Sequence, residues 1–395
     1  MRIVTRAVPT TGSGTATFLR EPESIRQDVW RRAGERFALA TVSRAGADGI
    51  AHVARLLHRA LTELSGRPPL ALDVDPASPE GVTIGERASF ATRLVGAQAA
   101  RRVDRVIFGH VTLARAQRRI PGAFRRPYAV FTHGVEVWGT PLSVDRLAAL
   151  QGAELLLSNS HFTARRIASM YPALQRVHAC PLALLPPPVA ADAGKPDDAL
   201  LSRIGSRSVL IVGRMIAAER YKGHDELIDC WRRVCAGVPG AQLVVAGAGD
   251  DAERLRGKAS AAGLGDAAVF CGRVSDATLA ALYERTAVFA MPSCGEGFGI
   301  VYLEAMRAGR PCIASSDDGA VDVVVAGETG LLIPHGDRDA LATAVIELLS
   351  RPERAAALGQ AGRRRYEQHF TFGHFRDRLR AALESVPGHS AGDSD

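Results

Sequence analysis

The 395-residue sequence predicts an α/β protein of two domains, each with a doubly wound parallel sheet. Short apolar segments alternate with segments of helical periodicity. This alternation stops at a proline-rich stretch over residues 181–196 and then resumes. The chain is also longer than a single hydrophobic core usually serves. We therefore expect a first domain over residues 37–185, a linker over 186–206 and a second domain over 207–365. A helix over 366–388 is expected to cross back onto the first domain.

The two ends of the chain are expected to lie outside these domains. Residues 1–36 are predicted to be an N-terminal extension, with an amphipathic helix over 24–36. The last residues, 389–395, are polar and are predicted to form a disordered tail.

Apolar runs bounded by glycine and polar turns predict the strands of both sheets. In the first half of the chain these runs cover residues 37–42, 105–108, 128–132 and 155–158. In the second half they cover residues 208–212, 241–246, 268–270, 288–291, 311–314 and 330–334. Apolar residues at helical spacing predict a helix over 50–64 after the first strand, and another over about 363–386 that is interrupted near Thr371.

Composition excludes several classes of protein. Hydrophobic residues make up 47% of the chain and charged residues 23%, as in globular proteins. No run approaches the roughly 20 apolar residues of a membrane span. The N-terminus has no apolar signal region, so we expect a cytoplasmic protein. The six cysteines include no CxxC pair, which argues against zinc and against a disulfide framework.

Positive charge is concentrated in the first domain. Residues 1–185 contain 25 basic and 14 acidic side chains, a net charge of +11, while the remainder contains 24 and 28, a net charge of −4. One interpretation is a surface attracted to anionic lipid or to a phosphorylated acceptor, with peripheral membrane contact. The other is a set of solvated arginines. No aromatic residues interleave with the basic runs, so nucleic acid is not an expected partner.

Glu296 and Glu304 lie eight positions apart, the first in a glycine-rich loop and the second inside the helix predicted after it. The loop contains three glycines: Gly295, Gly297 and Gly299. Glycines let the main chain approach a ligand, and a helix N-terminus suits a phosphate. A carboxylate in the loop can accept hydrogen bonds from sugar hydroxyls, and one in the helix can reach a ribose diol. The alternative is an exposed loop followed by a surface helix.

Basic residues and histidines follow other predicted strands at their carboxyl ends, where ligands bind in open α/β sheets. Arg214 and Lys222 follow the first strand of the second domain and could converge on a diphosphate. His133 follows the strand over 128–132 and could contact a sugar, although a packed loop histidine is the simpler interpretation. His110 also ends a strand and ranks below His133.

Three other motifs carry less weight. The turn over residues 246–250 contains a GxG pair but lacks the third glycine and the later acidic residue of a dinucleotide site. Asp73 and Asp75 have the spacing of a metal-binding DxD pair, but they lie in a proline-rich loop, and we interpret them as loop residues. The Ser160–His161 pair has no nucleophile elbow around it, so a hydrolase is not supported.

Taken together, these motifs resemble the family 4 retaining glycosyltransferases, of the group 1 glycosyl transferase type. The resemblance covers about residues 37–388 and is most specific at the Glu-x7-Glu segment. It rests on His133, Arg214, Lys222, Glu296 and Glu304. Supporting segments are residues 157–164, 269–275 and 327–334. The family has the GT-B fold, in which two Rossmann-like domains face a central cleft, the first binding the acceptor and the second the nucleotide sugar.

The resemblance implies a role for each matching residue. The catalytic residues would be His133 beside the transferred sugar, Glu296 on the donor sugar, and Arg214 and Lys222 on the leaving diphosphate. Other donor-binding residues would be Gly213, Arg273, Val274, Gly297, Phe298, Gly299, Ile300, Val301 and Glu304. Gly46 and Gly49 would belong to the loop that approaches the diphosphate or the acceptor, although the family usually has adjacent glycines there. No metal or cofactor is implied.

The expected reaction transfers a hexose from a nucleotide diphosphate sugar to a hydroxyl of a glycan, glycolipid or lipid-linked acceptor, with retention and without a metal. Residues 132–138 and 295–299 are similar to segments of bacterial mannosyltransferases, which favours GDP-mannose over a UDP-sugar. Alternatives within the fold are a non-catalytic nucleotide-sugar-binding regulator and a nucleotide-sugar 2-epimerase. An NAD-dependent oxidoreductase is disfavoured because the dinucleotide fingerprint is missing.

Overall fold

The computed structural model of the chain describes residues 34–42, 44, 48–74, 82–186 and 194–386. The predictions for residues 1–33, for Gly46 and for the tail over 389–395 lie outside these described residues. So do the central prolines of the stretch over 181–196.

The first sheet has six parallel strands: β1 (Phe37–Ala40), β2 (Leu70–Ala71), β3 (Arg105–Phe108), β4 (Tyr128–Thr132), β5 (Leu155–Ser158) and β6 (Val177–Ala179). Their spatial order is β2-β1-β3-β4-β5-β6. The apolar runs located four of these strands. The two edge strands, β2 and β6, were not predicted, because they are short and not fully buried and therefore carry no continuous apolar run.

The helices of the first domain are α1 (Gly49–Ser65), α2 (Ile84–Ala99), α3 (Val111–Ala114), α4 (Val135–Trp138), α5 (Val144–Gln151) and α6 (His161–Met170). Helix α1 confirms the helix predicted over 50–64. The Asp48 carboxylate caps its N-terminus by accepting from the main-chain N–H of Ala51 at 2.8 Å. Gly66, at φ +74°, ends it in the left-handed conformation.

The second sheet has six parallel strands: β7 (Ser208–Val212), β8 (Gln242–Ala246), β9 (Ala268–Gly272), β10 (Val288–Met291), β11 (Cys312–Ser315) and β12 (Gly330–Ile333). All six were predicted, with ends that differ by no more than two residues. Their spatial order is β12-β11-β10-β7-β8-β9, so the chain reverses direction across the sheet between β7 and β10. Such a reversal is the usual position of a ligand site.

The helices of the second domain and C-terminal region are α7 (Asp198–Ser202), α8 (His224–Gly237), α9 (Ala252–Ala261), α10 (Asp276–Arg285), α11 (Ile300–Arg307), α12 (Arg338–Ser350), α13 (Pro352–His369) and α14 (Phe372–Glu384). Helix α7 lies within the segment predicted as the linker. Just before that segment, Leu182, Ala183 and Leu184 are buried. The chain between the sheets is therefore partly helical and partly packed into the core.

The last helix crosses back onto the first domain, as the sequence predicted. The helical region breaks at Phe370 and Thr371, between α13 and α14. Helix α14 packs on α1, where Arg376 pairs with Glu63 at 3.2 Å. Buried residues of α1, of α14 and of the second sheet form one continuous hydrophobic core. A second core covers the opposite face of the first sheet.

Asp73 has a structural role, in agreement with its interpretation as a loop residue. Its carboxylate accepts from the hydroxyl of Thr41 at 2.6 Å and from Arg44 at 2.6 and 2.9 Å. These contacts join the loop after β2 to the end of β1. Asp75 lies outside the described residues.

Candidate active site

The candidate site lies where the loops that follow β7 and β10 meet. These strands are adjacent in the sheet although two other strands separate them along the chain. The β7 loop carries Arg214 and Lys222, and the β10 loop carries Glu296 and leads into α11. The reversal of strand order thus brings the predicted diphosphate and sugar residues together.

Lys222 and Glu296 form the central ion pair of this site. The ammonium nitrogen of Lys222 lies 2.6 Å from Oε1 of Glu296, and their side chains are 15% and 17% exposed. Glu219 contributes a second carboxylate 3.9 Å from the same nitrogen. Burial is the largest single effect and lowers the pKa of Lys222, but the charge and hydrogen bond of Glu296, together with Tyr221 and Glu219, outweigh it, so the pKa of Lys222 is raised. Lys222 is therefore a cation at neutral pH.

Arg214 faces the first domain across the cleft. Its guanidinium pairs with Glu219 on one side and lies 4.0 Å from Asp48, the N-cap of α1, on the other. Gly49, the first residue of α1, is close to Ile300, the first residue of α11, since a Cβ atom on Gly49 would lie 3.9 Å from Cδ1 of Ile300. The N-termini of two helices and Arg214 thus face the same space.

The GxG turn after β8 supports the loop that carries Arg214. A Cβ atom on Gly247 would lie 1.9 Å from the carbonyl oxygen of Gly213, and one on Gly249 would lie 2.0 Å from that of Met215. Both positions therefore require glycine for main-chain packing. The turn continues into Asp251, whose carboxylate pairs with Arg220 at 2.7 Å and so holds the segment before Lys222.

The glycine-rich loop after β10 packs directly against the first domain. A Cβ atom on Gly297 would lie 1.8 Å from the carbonyl oxygen of His133, and one on Gly134 would lie 2.8 Å from Cα of Gly297. Gly299, at φ +85°, forms the N-cap of α11. Phe298 is buried against Phe370, with ring centroids 5.9 Å apart, so its side chain is not available to a ligand.

His133 lies at the end of β4, next to this glycine contact. Its Nε2 lies 2.6 Å from the carbonyl oxygen of Gly109 and donates to it, so Nδ1 is the acceptor whenever the ring is neutral. The side-chain amide of Asn159 donates to the His133 carbonyl. The rings of His110 and His133 stack with centroids 5.8 Å apart. Burial is the main cause that lowers the pKa of His110 to about 3, and the charge of His133 is the second.

Glu304 lies on α11 and is held by a residue that the sequence did not single out. The hydroxyl of the buried Tyr283 donates to Oε2 of Glu304 at 2.8 Å. Burial raises the pKa of Glu304, while the hydrogen bond from Tyr283 opposes this effect. Two other residues of the predicted donor segment are Ile300 and Val301, which are partly buried in the first turn of the same helix.

Arg273 and Val274 line a cavity of about 270 Å³ at the edge of the second sheet. The other lining residues are Lys195, Asp197, Leu200, Cys271, Ser275 and Thr278. The segment between the two sheets thus forms one wall of this cavity, and the loop after β9 forms the other.

Asp318 is a further residue of the site that sequence reasoning missed. It follows β11, the strand adjacent to β10, and its side chain is fully buried. Ser293 donates to Asp318 Oδ2 at 2.5 Å, and the main-chain N–H of Glu296 donates to the same oxygen at 3.1 Å. Burial is the main cause that raises the pKa of Asp318 to about 7. Its position beyond a strand end is the one signal by which the sequence could have identified it.

Over the ranges that the structure describes, no helix is both long and apolar enough to cross a membrane. The same ranges contain no group of three or more histidine, cysteine or acidic side chains arranged to hold a metal ion.

Comparison with known proteins assigns the chain to a family. Residues 199–365 match the family model of the glycosyl transferases group 1. Over 281 residues the chain is 35% identical to the GDP-mannose-dependent alpha-(1-6)-phosphatidylinositol monomannoside mannosyltransferase of Mycobacterium tuberculosis, covering 66% of this chain and 70% of that protein. Over 222 residues it is 30% identical to the lipopolysaccharide core biosynthesis mannosyltransferase LpcC of Rhizobium leguminosarum bv. viciae, covering 53% and 59%.

Solved structures confirm the predicted GT-B fold. The Anabaena protein HepE in complex with UDP superposes with a TM-score of 0.70 at 18% identity, covering 89% of this chain and 100% of that one. Sucrose-phosphate synthase from Thermosynechococcus elongatus superposes with a TM-score of 0.69 at 20% identity, covering 89% and 98%. With the family match and the mycobacterial relative, we conclude that this chain belongs to the group 1 glycosyl transferases and is a glycosyltransferase.

Proposed function

We propose that this chain transfers mannose from GDP-mannose to a hydroxyl of a glycolipid, with retention of the anomeric configuration. The observation that carries the proposal is the Lys222–Glu296 ion pair, which lies where the strand order reverses. Arg214 shares the loop after β7 with Lys222. The choice of donor and acceptor comes from the mycobacterial relative, whose name specifies GDP-mannose and a phosphatidylinositol monomannoside.

The chemistry rests on stabilising the departing diphosphate. The bond between the sugar C1 and the phosphate oxygen breaks, and the bond between C1 and the acceptor oxygen forms on the same face. The acceptor proton passes to the phosphate oxygen nearest the sugar, so no side chain has to act as base. Lys222, Arg214 and the N-terminus of α11 would stabilise the charge that develops on the diphosphate.

Donor binding would exchange one partner of Lys222 for another. The Lys222 ammonium bonds Glu296 at 2.6 Å. When the ammonium turns to the diphosphate, the Glu296 carboxylate becomes available to hydroxyls of the donor sugar. The acceptor nitrogen of His133, Nδ1, would face the sugar from the first domain. Glu296 thus acts by positioning the sugar and not as a glycosidase nucleophile.

The nucleoside would lie along α11 and the loop after β9. Glu304, held by Tyr283 at 2.8 Å, would accept hydrogen bonds from the ribose diol. The main chain of Arg273 and Val274, beside the cavity of about 270 Å³, would contact the base. Gly213 and the amides of Gly297 and Gly299 would approach the phosphates and the sugar.

Glu304→Ala is expected to lower the affinity for GDP by about tenfold or more, because a charged hydrogen-bond partner of the ribose contributes ~1.5–3 kcal/mol. The kcat at saturating donor should change little, since the ribose is remote from the bond that breaks. Calorimetric titration with GDP measures the affinity. Glu253→Ala, on the exposed surface of α9, is the matched control. An unchanged GDP affinity in Glu304→Ala would exclude the ribose role.

The donor and the acceptor are tested together. The purified chain is incubated with GDP-mannose, UDP-glucose or ADP-glucose and with phosphatidylinositol monomannoside in mixed micelles. Mass spectrometry identifies the product, and the one-bond C1–H1 coupling measured by NMR assigns its anomer. We expect an α-mannosyl product from GDP-mannose alone. Transfer only from a UDP-sugar, or an inverted product, would overturn the proposal; nucleotide binding without turnover would favour a regulator, and release of an epimerised sugar would favour an epimerase.

We also propose that the first domain contacts an anionic membrane through one exposed surface. Phe124 is 45% exposed and Val144 is 83% exposed. An ion pair of 2.8 Å between Arg118 and Asp145 joins the stretch of chain before Phe124 to the start of α5, where Val144 lies. Three more arginines of the same stretch of chain are exposed as well: Arg115, Arg119 and Arg125. A membrane surface attracts such a combination of cations and apolar side chains, at about 1 kcal/mol for each basic residue.

Phe124→Ser combined with Arg119→Ala is expected to reduce binding to vesicles containing phosphatidylinositol by roughly tenfold, because one cation and one apolar contact are lost. Co-sedimentation with vesicles of phosphatidylcholine, with and without phosphatidylinositol, measures the effect. Arg363→Ala on α13, also an exposed arginine, is the control. Equal binding of wild type to neutral and anionic vesicles would contradict the proposal.

A further inference from the structure

Asp318 is hydrogen-bonded to the loop that carries Glu296. The side chain is fully buried directly after β11. One carboxylate oxygen, Oδ2, accepts from the hydroxyl of Ser293 at 2.5 Å and from the main-chain N–H of Glu296 at 3.1 Å. The other, Oδ1, accepts from the main-chain N–H of Ala320 at 3.0 Å. Asp318 therefore joins the β10 loop to the β11 loop.

The residue after Asp318 completes the contact. The main-chain N–H of Gly319 donates to the carbonyl oxygen of Glu296 at 2.8 Å. A Cβ atom on Gly319 would lie 2.2 Å from the carbonyl oxygen of Gly297, so no side chain fits between the two loops. Both main-chain polar groups of Glu296 are thus bonded to residues 318 and 319.

These bonds take the place of regular secondary structure. Residues 292–299 lie between the end of β10 and the start of α11 and belong to neither. A loop of this kind has no ladder of hydrogen bonds to fix its main chain. The direction of the Glu296 side chain, and with it the 2.6 Å contact to Lys222, depends on these few bonds.

We propose that Asp318 is a positioning residue for catalysis, which fixes the main chain of Glu296 and so sets its carboxylate for the donor sugar. The inference rests on the proposed role of Glu296. Asp318 itself is not expected to touch the donor, because its oxygens are occupied by Ser293, Glu296 and Ala320.

The charge of Asp318 gives this role a pH dependence. Titratable groups that face it are Glu296 and Cys294 in the β10 loop and Tyr302 on α11, whereas the carboxylate of the adjacent Asp317 accepts from Ser316 and His335. Burial first, and then the charge of Glu296, raise the pKa of Asp318 to about 7, against the hydrogen bonds that it accepts. The ionised carboxylate accepts all three hydrogen bonds, whereas the protonated form needs one oxygen as a donor. The positioning contact therefore strengthens, and kcat should rise, as pH rises through about 7.

Stability should follow the opposite direction. A carboxyl whose pKa is raised in the folded state contributes stability below its unfolded pKa, about 4, and loses that contribution as pH rises through the folded value. Ionised Asp318 therefore costs stability in the pH range where catalysis requires it. The Tm of wild type relative to Asp318→Asn should fall between about pH 4 and about pH 7.

Asp318→Asn is the direct test, since it keeps the shape of the side chain but turns an amide NH2 toward at least one N–H or O–H donor. We expect kcat to fall by roughly 10- to 100-fold, as for a small displacement of a reacting group. The rise of kcat through about pH 7 should disappear. GDP affinity should stay within about threefold, because the ribose and base contacts lie elsewhere. Asp317→Asn is the matched control, since that carboxylate accepts from Ser316 and from the His335 amide at 2.7 Å.

Ser293→Ala keeps the proposal testable if Asp318→Asn fails to fold. The Ser293 hydroxyl stabilises the ionised form of Asp318. Its removal should therefore shift the rise of kcat to higher pH and lower kcat several-fold. The double variant should be no worse than Asp318→Asn alone, because the two residues act through one contact. A wild-type kcat and pH profile in Asp318→Asn, or an unmoved pH profile in Ser293→Ala, would overturn the inference. Absence of transfer in wild type with every donor would instead contradict the proposed function.

Discussion

Lys222→Ala is expected to lower kcat by roughly 10²- to 10³-fold, the cost of removing one preorganised group that stabilises developing negative charge. Lys222 is a cation at neutral pH and only 15% exposed, and its contact with Glu296 places it beside the loop that leads into α11. A mostly buried cation acts on a diphosphate more strongly than an exposed one, because water screens it less. Arg214, at 52% exposure, should therefore have the smaller effect when changed to alanine. Initial rates at saturating GDP-mannose measure both variants.

The control for Lys222→Ala is another lysine that bonds carboxylates. Lys258 on α9 lies 2.6 Å from Asp225 and 2.8 Å from Asp229, both on α8. Lys258→Ala should lose a comparable ion pair and keep its kcat. If Lys222→Ala keeps wild-type turnover while its fold is intact, the diphosphate role is wrong.

Gly297→Ala is expected to abolish transfer, with kcat lowered by more than about 10²-fold, because a displacement near 1 Å at a reacting site has an effect of this size. The added Cβ atom would lie 1.8 Å from the carbonyl oxygen of His133 and 2.7 Å from Nδ2 of Asn159. The two domains would have to separate at the point where His133 meets the glycine-rich loop after β10. GDP binding should remain within a few-fold, because the proposed nucleotide contacts all belong to the second domain.

Small-angle scattering and calorimetry distinguish the two parts of this prediction. The variant should show a larger radius of gyration than wild type and should retain GDP binding. Gly257→Ala on α9 is the control, since a Cβ atom at that position meets no atom within 4 Å. A Gly297→Ala protein with normal transfer would show that the close main-chain contact is not required for catalysis.

Most of the fold follows from local sequence. Buried parallel strands are continuous apolar runs, so ten of the twelve were predicted, and the break near Thr371 was predicted from the interrupted helical pattern. β2 and β6 could not be found in this way, because edge strands of two and three residues are held by pairing with a neighbour and not by their own apolar content. Helix α7 was not predicted, because the prolines that precede it indicated a segment without regular structure.

The hydrogen-bonding partners of the candidate site residues were harder to predict than the candidates themselves. Arg214, Lys222 and Glu296 follow strand ends, where the fold class alone places functional residues. Tyr283 and Asp318 act through hydrogen bonds to Glu304 and to the Glu296 loop, and no local pattern marks such contacts.

The sequence by itself determined the two α/β domains, the kinds of residue at the strand ends and the resemblance to a family, because each depends on neighbours along the chain. Only the tertiary structure decided which of these residues meet. Lys222 and Glu296 are 74 positions apart and come within 2.6 Å because the strand order reverses between β7 and β10. His133 meets Gly297 only because the two domains pack together without a side chain between them. The physical reason is that such contacts depend on sheet topology and domain packing, which no short segment encodes.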